Sequence, residues 1–124
     1  MSDYPSKDLC DQYSQLYHDL STELGALSHP TRLSILLTLY VSEHIPSSRS
    51  VYYSKLCEVY GIKDALMTYH LKRLEKAGLI QKKNAENLDI RYRVYSATEK
   101  GKKLISDLGL DKAVLALSRT KSML

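Results

Sequence analysis

The sequence contains no tryptophan and no phenylalanine, and only two of its 124 residues are cysteines, Cys10 and Cys57. Two thiols so far apart do not make a disulfide framework, and such cysteine usage is typical of an intracellular protein. No run approaches the roughly 20 apolar residues of a membrane span, and the first residues lack the apolar core of a signal peptide. These absences predict a cytoplasmic protein with no membrane partner. One domain of this length buries enough surface to fold without a metal or a disulfide.

The motifs of catalytic sites are also missing. The sequence has no glycine-rich phosphate loop, no histidine-glutamate metal helix and no nucleophile elbow, and its four histidines are scattered. A thiolate metal site needs three or four close ligands, and Cys57 has no second thiol beside it. We therefore expect no enzyme activity, no metal and no cofactor.

Charge is distributed unevenly along the chain. The formal net charge is +4, yet residues 1–62 carry a net of −3, whereas residues 63–103 carry 11 basic and 5 acidic side chains, a net of +6. Clustered positive charge is an electrostatic footprint for a polyanion. A generic solvated basic surface is the alternative interpretation of the same charges.

Apolar spacing predicts helices in the first half of the chain. Steps of three and four residues predict an amphipathic helix over 8–24, which ends at Gly25 or continues to Leu27. A second helix is expected to start at Pro30, because the missing N–H of proline costs nothing at the first helical position. This helix is apolar around most of its circumference, which predicts a central position in the core.

Two further helices flank Gly61. The first, over 51–60, has two possible inward sets, Tyr53 with Leu56 and Tyr60, or Leu56 with Val59. The second is expected over 64–77, ending at Gly78, with one apolar face and with basic and hydrogen-bonding residues on the other. A short helix of that kind has the shape and charge to enter a DNA major groove.

After Gly78 the period changes from 3.6 to 2, which predicts a β-hairpin. Its strands are expected over 79–83 and 90–96. In the second strand the alternation directs one set of side chains inwards, namely Ile90, Tyr92 and Val94, and another outwards, namely Arg91, Arg93 and Tyr95. Thr98 is expected to cap a fifth helix.

Helix, helix, turn, helix, two-stranded hairpin and helix is the order of a winged helix-turn-helix domain. The segment LSHPTRLSILL, residues 27–37, resembles the opening helix of ArsR-like regulators of bacteria and archaea, and residues 61–80 resemble their recognition helix and first wing strand. Thr98-Glu99-Lys100-Gly101 is similar to the helix start after the wing in MarR-like regulators. The resemblance covers residues 25–104. It implies a mainly α fold with a small β-hairpin and a DNA-binding transcriptional regulator. Repression is the expected action, with activation as the alternative.

By position, the resemblance also implies which residues contact DNA. Base contacts are expected from the helix over 64–77 and the residue before it, namely Lys63, Asp64, Ala65, Thr68, Tyr69 and Lys72. Backbone or wing contacts are expected from Arg73, Lys76, Lys82, Lys83, Arg91 and Arg93. Asp64 is expected to cap the helix where the family often has serine. The alternatives are that Tyr69 packs on the wing and that the hairpin face is merely solvated; His70 is expected in the core.

The segments outside the DNA-binding domain suggest a dimer. Residues 1–24 form an N-terminal arm and helix, residues 25–104 the DNA-binding domain, and residues 105–124 a C-terminal helix. The two terminal segments retain apolar faces, and pairing them about a two-fold axis would set two recognition helices ~34 Å apart. The expected interface residues are Leu9, Tyr13, Leu16, Tyr17, Leu20, Val114 and Leu117. Packing of these helices within one chain is the alternative.

The predicted partners are therefore double-stranded DNA and a second copy of the chain. A rival interpretation is a winged-helix protein-interaction module, whose recognition face would be apolar or acidic. Another is a non-specific chromatin-type DNA-binding protein, which would show no sequence preference.

Overall fold

The computed structural model describes residues 6–44, 51–83 and 89–112, together with Ala116. Helices in this part of the chain are α1 Lys7–Leu27, α2 Pro30–His44, α3 Tyr53–Tyr60, α4 Asp64–Lys76 and α5 Glu99–Asp107. The strands are β1 Ile80–Lys82 and β2 Tyr95–Ala97, with a short 3-10 helix, Ile90–Tyr92, between them. This order confirms the predicted mainly helical winged-helix architecture.

Helix α1 continues past Gly25, the nearer of its two predicted ends. Ser6 caps its start by accepting the Leu9 N–H at 3.2 Å. A helical glycine costs about 1 kcal/mol relative to alanine, but the next two residues, Ala26 and Leu27, are buried in the core, and their burial offsets that cost. In the part of the chain described above, no helix is both long and apolar enough to cross a membrane.

Helix α2 lies at the centre of the core, as predicted from the apolar residues around most of its circumference. Ile35, Leu36 and Leu39 are all 0% exposed, and the helix contacts α1, α4, α5 and β2. These contacts place α2 at the middle of a single core, to which α3, α4, both strands and α5 each contribute buried side chains.

The turn between α3 and α4 depends on Gly61. Its backbone is left-handed, with φ 61° and ψ 33°, a conformation that glycine adopts without steric cost. Helix α3 buries Tyr53 and Leu56, whereas Val59 is 61% exposed. The set of Tyr53, Leu56 and Tyr60 is therefore the inward one.

The hairpin differs from the predicted one in its second half. Strand β1 pairs antiparallel with β2, with Ile80 opposite Ala97, but residues 90–92 form a 3-10 helix rather than a strand. Asp89 starts this helix by accepting the Arg91 N–H at 3.0 Å, because a short acidic side chain readily competes with strand pairing for nearby backbone donors. The predicted alternation is wrong as a result: Tyr95 is buried and Tyr92 is exposed. Residues 84–88 lie outside the described part of the chain.

Helix α5 packs closely on the start of the hairpin. Thr98 caps it, as predicted, by accepting the Gly101 N–H at 3.0 Å, and the same hydroxyl donates to the Gly78 carbonyl. A Cβ atom added at Gly101 would collide with the carbonyl oxygen of Leu79. The absence of a side chain at this position therefore sets the distance between α5 and the chain entering β1.

Candidate nucleic-acid interface

The outward side of α4 is defined by its buried side. Met67, His70, Leu71 and Leu74 face the core, so the 3.6-residue period directs another set of residues furthest from it. This set, which we call the outer stripe, comprises Ala65, Tyr69, Lys72 and Lys76, all of them exposed. It combines a small residue, an aromatic ring and two ammonium groups, which suits contact with base edges and phosphates.

Two flanks border the outer stripe. On the flank towards α1, Arg73 lines an open cleft opposite Ser21 and Thr22, and Lys76 of the outer stripe reaches the same cleft. Leu66, 45% exposed, begins the same flank. Leu66 is missing from the DNA-contacting residues predicted from the sequence. It lies one helical turn before Tyr69, which was expected at the surface, and this spacing could have indicated its exposure.

The flank towards α3 carries Asp64 and Thr68, which are held by residues of α3. The Tyr53 hydroxyl donates to the Asp64 carbonyl oxygen at 2.9 Å and lies 3.1 Å from Thr68 Oγ1. Lys63, not Asp64, occupies the capping position, and no side chain caps the helix there. The predicted capping role of Asp64 is therefore wrong, because this residue is already the first of the helix and its side chain is bonded to Cys57 instead.

A buried polar cluster lies between α4 and α2, on the side of α4 that faces the core. Arg32, 7% exposed, donates from Nε to the Ala26 carbonyl oxygen at 2.6 Å and from a terminal nitrogen to His70 Nδ1 at 3.2 Å. The rings of His29 and His70 are 4.6 Å apart. Burial lowers the pKa of His70, and the neighbouring His29 and Arg32 lower it further. His70 is thus a core histidine, as expected, and it connects α4 with α2.

The basic residues of the hairpin do not share one face. Arg91 is held by Asp89 through two hydrogen bonds, at 3.3 and 2.9 Å, and these bonds lower the pKa of Asp89 to about 2. Lys82 lies 3.8 Å from Glu75 of α4, and Lys83 is exposed. Arg93 is half-buried. The predicted row of arginines on one strand face is therefore wrong, because Arg91 belongs to the 3-10 helix.

Two lysines of α5 connect this helix to the first two helices of the chain. Lys100 pairs with Glu23 of α1 at 2.9 Å, and Lys102 pairs with Glu43 of α2 at 2.8 Å. Hydrogen bonding to Glu43 raises the pKa of Lys102. The first pair links α5 to α1, and the second links α5 to α2.

Helix α1 leaves an apolar face uncovered. Its large apolar residues, between 37% and 53% exposed, recur at steps of three and four: Leu9, Tyr13, Tyr17, Leu20 and Leu24. Only the backbone of Leu16 is described, and the predicted interface residues Val114 and Leu117 lie outside the described residues.

Among the residues that the structure describes, no group of three histidine, cysteine, aspartate or glutamate side chains could hold a metal ion.

The comparisons with known proteins agree with this geometry. Residues 27–82, which run from the end of α1 to the end of β1, match a helix-turn-helix domain family. No curated protein matches the sequence.

Solved structures resemble the whole described fold. A mutant of ZitR from Lactococcus lactis is 25% identical, with 93% of this chain and 80% of that chain covered and a TM-score of 0.51. A MarR family regulator from Neisseria meningitidis is 19% identical, with 96% and 80% covered and a TM-score of 0.55. A MepR variant from a clinical isolate of S. aureus is 15% identical, with 99% and 86% covered and a TM-score of 0.56.

The helix-turn-helix match and the winged-helix fold identify the protein as a DNA-binding transcriptional regulator of the winged helix-turn-helix class. Its ArsR-like sequence motifs are carried on a fold shared with MarR-type regulators.

Proposed function

We propose that the protein is a homodimeric, sequence-specific repressor, which inserts α4 into the major groove of DNA and sets its hairpin on the phosphate backbone or in the minor groove. The observation that carries this proposal is the outer stripe of α4, because it is exposed along the whole helix and contains no acidic side chain. Lys63 and Thr68 add base contacts at the start of the helix. Asp64 is a further base contact, since a carboxylate can accept from the amino group of cytosine.

The hairpin supplies positive charge for contact with the DNA backbone. Beyond the end of α4, Lys82, Lys83 and Arg91 each carry a positive charge, and the partly buried Arg93 adds a fourth. Phosphate contacts of this kind fix the register of a protein on DNA without reading its sequence. Arg73 and Lys76, at the end of α4, extend the same basic surface towards α1.

Dimerisation explains the apolar face of α1. An uncovered row of large apolar side chains on a helix is stabilised when a second copy covers it. In this arrangement residues 1–24 and 105–124 form the dimer, Leu16, Val114 and Leu117 complete the interface, and residues 25–104 bind DNA. A dimer that covers two successive major grooves blocks access to a promoter, which favours repression. The protein acts in the cytoplasm, on DNA of the nucleoid.

The test is selection of bound sequences from a random duplex pool, with the mass of the complex measured in parallel. We expect a pseudo-palindromic site, whose half-sites are ~34 Å apart, and a mass of two chains. A bound pool without a consensus would favour a non-specific chromatin-type protein. Absence of binding, or an affinity independent of salt, would favour a protein-interaction module.

Substitution of Lys72 tests the role of α4 directly. Lys72→Ala should weaken binding to all sequences and reduce the slope of log affinity against log salt concentration by about 1. Lys7→Ala removes the same charge from the exposed first turn of α1 and serves as the control, with an unchanged slope. Equal effects of the two substitutions would contradict the proposed interface.

A further inference from the structure

The hydroxyl of Tyr53 lies beneath the first turns of α4 and connects two of its residues. Tyr53 is 1% exposed. Its hydroxyl donates to the Asp64 carbonyl oxygen at 2.9 Å, and a carbonyl oxygen can only accept. A phenol has a single proton, so this bond uses it. The hydroxyl of Thr68, 3.1 Å from Tyr53 Oη, must therefore donate its own proton to Tyr53.

Tyr53 keeps that proton at neutral pH, because burial raises its pKa above the ordinary value of a phenol. Since the proton is given to the Asp64 carbonyl, Thr68 is the donor in its bond with Tyr53, and towards solvent it retains only the lone pairs of its oxygen and its methyl group.

Asp64 is restricted in the same way. The Cys57 thiol donates to Asp64 Oδ1 at 3.6 Å. Burial raises the pKa of Cys57, so the thiol keeps its proton at neutral pH. A carboxylate has no proton to donate. Asp64 and Thr68, which we call the acceptor edge, thus present only hydrogen-bond acceptors on the α3 side of the helix.

We propose that Tyr53 is a positioning residue for DNA recognition, which makes Thr68 an acceptor, so that the acceptor edge selects a base with an exocyclic amino group. In the major groove, adenine presents its N6 amino group and cytosine its N4 amino group, whereas guanine and thymine present acceptors at the equivalent positions. The strand that faces the acceptor edge should therefore carry adenine or cytosine at one position of each half-site. This inference rests on the proposed major-groove binding of α4.

The first test removes the amino group from the DNA. The selected duplex is prepared with purine in place of adenine, or with 2-pyrimidinone in place of cytosine, at one position at a time. At the position read by the acceptor edge, the unsubstituted protein should lose affinity about tenfold, the effect of one lost base contact. Thr68→Val removes one of the two acceptors but keeps the shape of the side chain, and its affinity should fall less at that position, because only Asp64 remains to accept from the amino group. Equal losses for both proteins at every position would overturn the inference.

The second test changes Tyr53 itself. Tyr53→Phe releases the Thr68 proton, so that Thr68 can donate to guanine or thymine. Reversal of the base pair at that position should cost the unsubstituted protein about tenfold in affinity and the variant markedly less. Tyr60→Phe is the matched control, because Tyr60 also lies on α3 and its hydroxyl bonds Ser34 and Thr38 of α2, away from α4. It should behave like the unsubstituted protein. If Tyr53→Phe discriminates as strongly as the control, the inference is wrong.

Failure of the proposed function would give a different result. In that case the unsubstituted protein selects no consensus at all, whereas failure of the present inference alone leaves a consensus that the Tyr53 and Thr68 substitutions do not alter. If Tyr53→Phe does not fold, the amino-group test with Thr68→Val still decides the question.

Discussion

At the scale of single residues, the least usual feature is a buried guanidinium beside a pair of histidines. Within the described residues, the buried polar and charged side chains are Arg32, His70 and Ser96, so Arg32 has no buried carboxylate partner. Its charge is stabilised by hydrogen bonds to the Ala26 carbonyl, at the negative end of α1, and to His70. Because arginine can only donate, His70 Nδ1 must accept, which requires a neutral ring.

This arrangement predicts that acid destabilises the fold. The pKa of His70 is lowered in the folded protein, so the unfolded chain binds a proton first as pH falls below about 6.5. The free energy of unfolding should be highest above that pH and should fall until the pH reaches the folded pKa. Urea denaturation of the protein and of His70→Gln, across this range, measures the effect. The variant should show a flatter pH dependence; an equally steep one would exclude His70 as the cause.

Substitution by alanine is expected to have opposite effects on stability at two glycines. Gly101→Ala should destabilise the protein by about 1–3 kcal/mol, because the new Cβ atom collides with the Leu79 carbonyl. Gly25→Ala should stabilise it by up to about 1 kcal/mol, because Gly25 is helical and nothing lies within 4 Å of an added Cβ. Thermal or chemical denaturation of both variants is the measurement. A stable Gly101→Ala variant would mean that α5 can move away from the hairpin.

At the scale of elements, helices were easier to predict than strands. The starts of α2 and α4 and the cap of α5 follow from local signals, Pro30, the residues after Gly61, and Thr98. The second wing strand was not predictable in the same way, since residues 90–96 alternate correctly for a strand. Asp89 changes the outcome through one hydrogen bond to the Arg91 backbone, and the burial of Tyr95 depends on core contacts that alternation does not reveal.

The pairing of Asp89 with Arg91 predicts how the wing binds DNA. Asp89→Asn keeps an acceptor for the Arg91 N–H but removes a negative charge beside the proposed backbone contact. An exposed ion pair contributes only about 0–1 kcal/mol to stability, so Asp89→Asn should hardly change the conformation of the wing. Affinity for random duplex DNA should therefore increase a few-fold. Arg91→Ala should decrease it, and weaker binding by Asp89→Asn would indicate that Asp89 is needed to orient the arginine.

For the whole molecule, the proposed function uses two surfaces of different helices, the apolar face of α1 and the outer stripe of α4. Helix α1 contacts α2 and α4, and the ion pair of Glu23 with Lys100 links it to α5. In a dimer formed through α1, the orientation of α1 relative to α4 would determine the distance between the two recognition helices.

A charge on α1 should therefore affect DNA binding without touching DNA. Leu20→Glu places a carboxylate in the apolar face and should give a monomer with much lower affinity for the selected site. Gln15→Glu introduces the same charge on an exposed residue on the opposite side of α1, and should remain a dimer. Sedimentation and gel-shift titration measure both properties. A dimeric Leu20→Glu variant would place the interface elsewhere.

Local patterns along the chain were enough to predict the order of the helices, the winged-helix class and the basic character of α4, because periodicity, caps and charge act between residues close together in the chain. Which of the predicted DNA-contacting side chains are restricted by other residues became clear from the packing of the helices. Asp64 and Thr68 are bonded to α3, and His70 lies against Arg32 of α2. These contacts join residues distant in sequence, whose hydrogen-bond directions are fixed only after the helices have packed together.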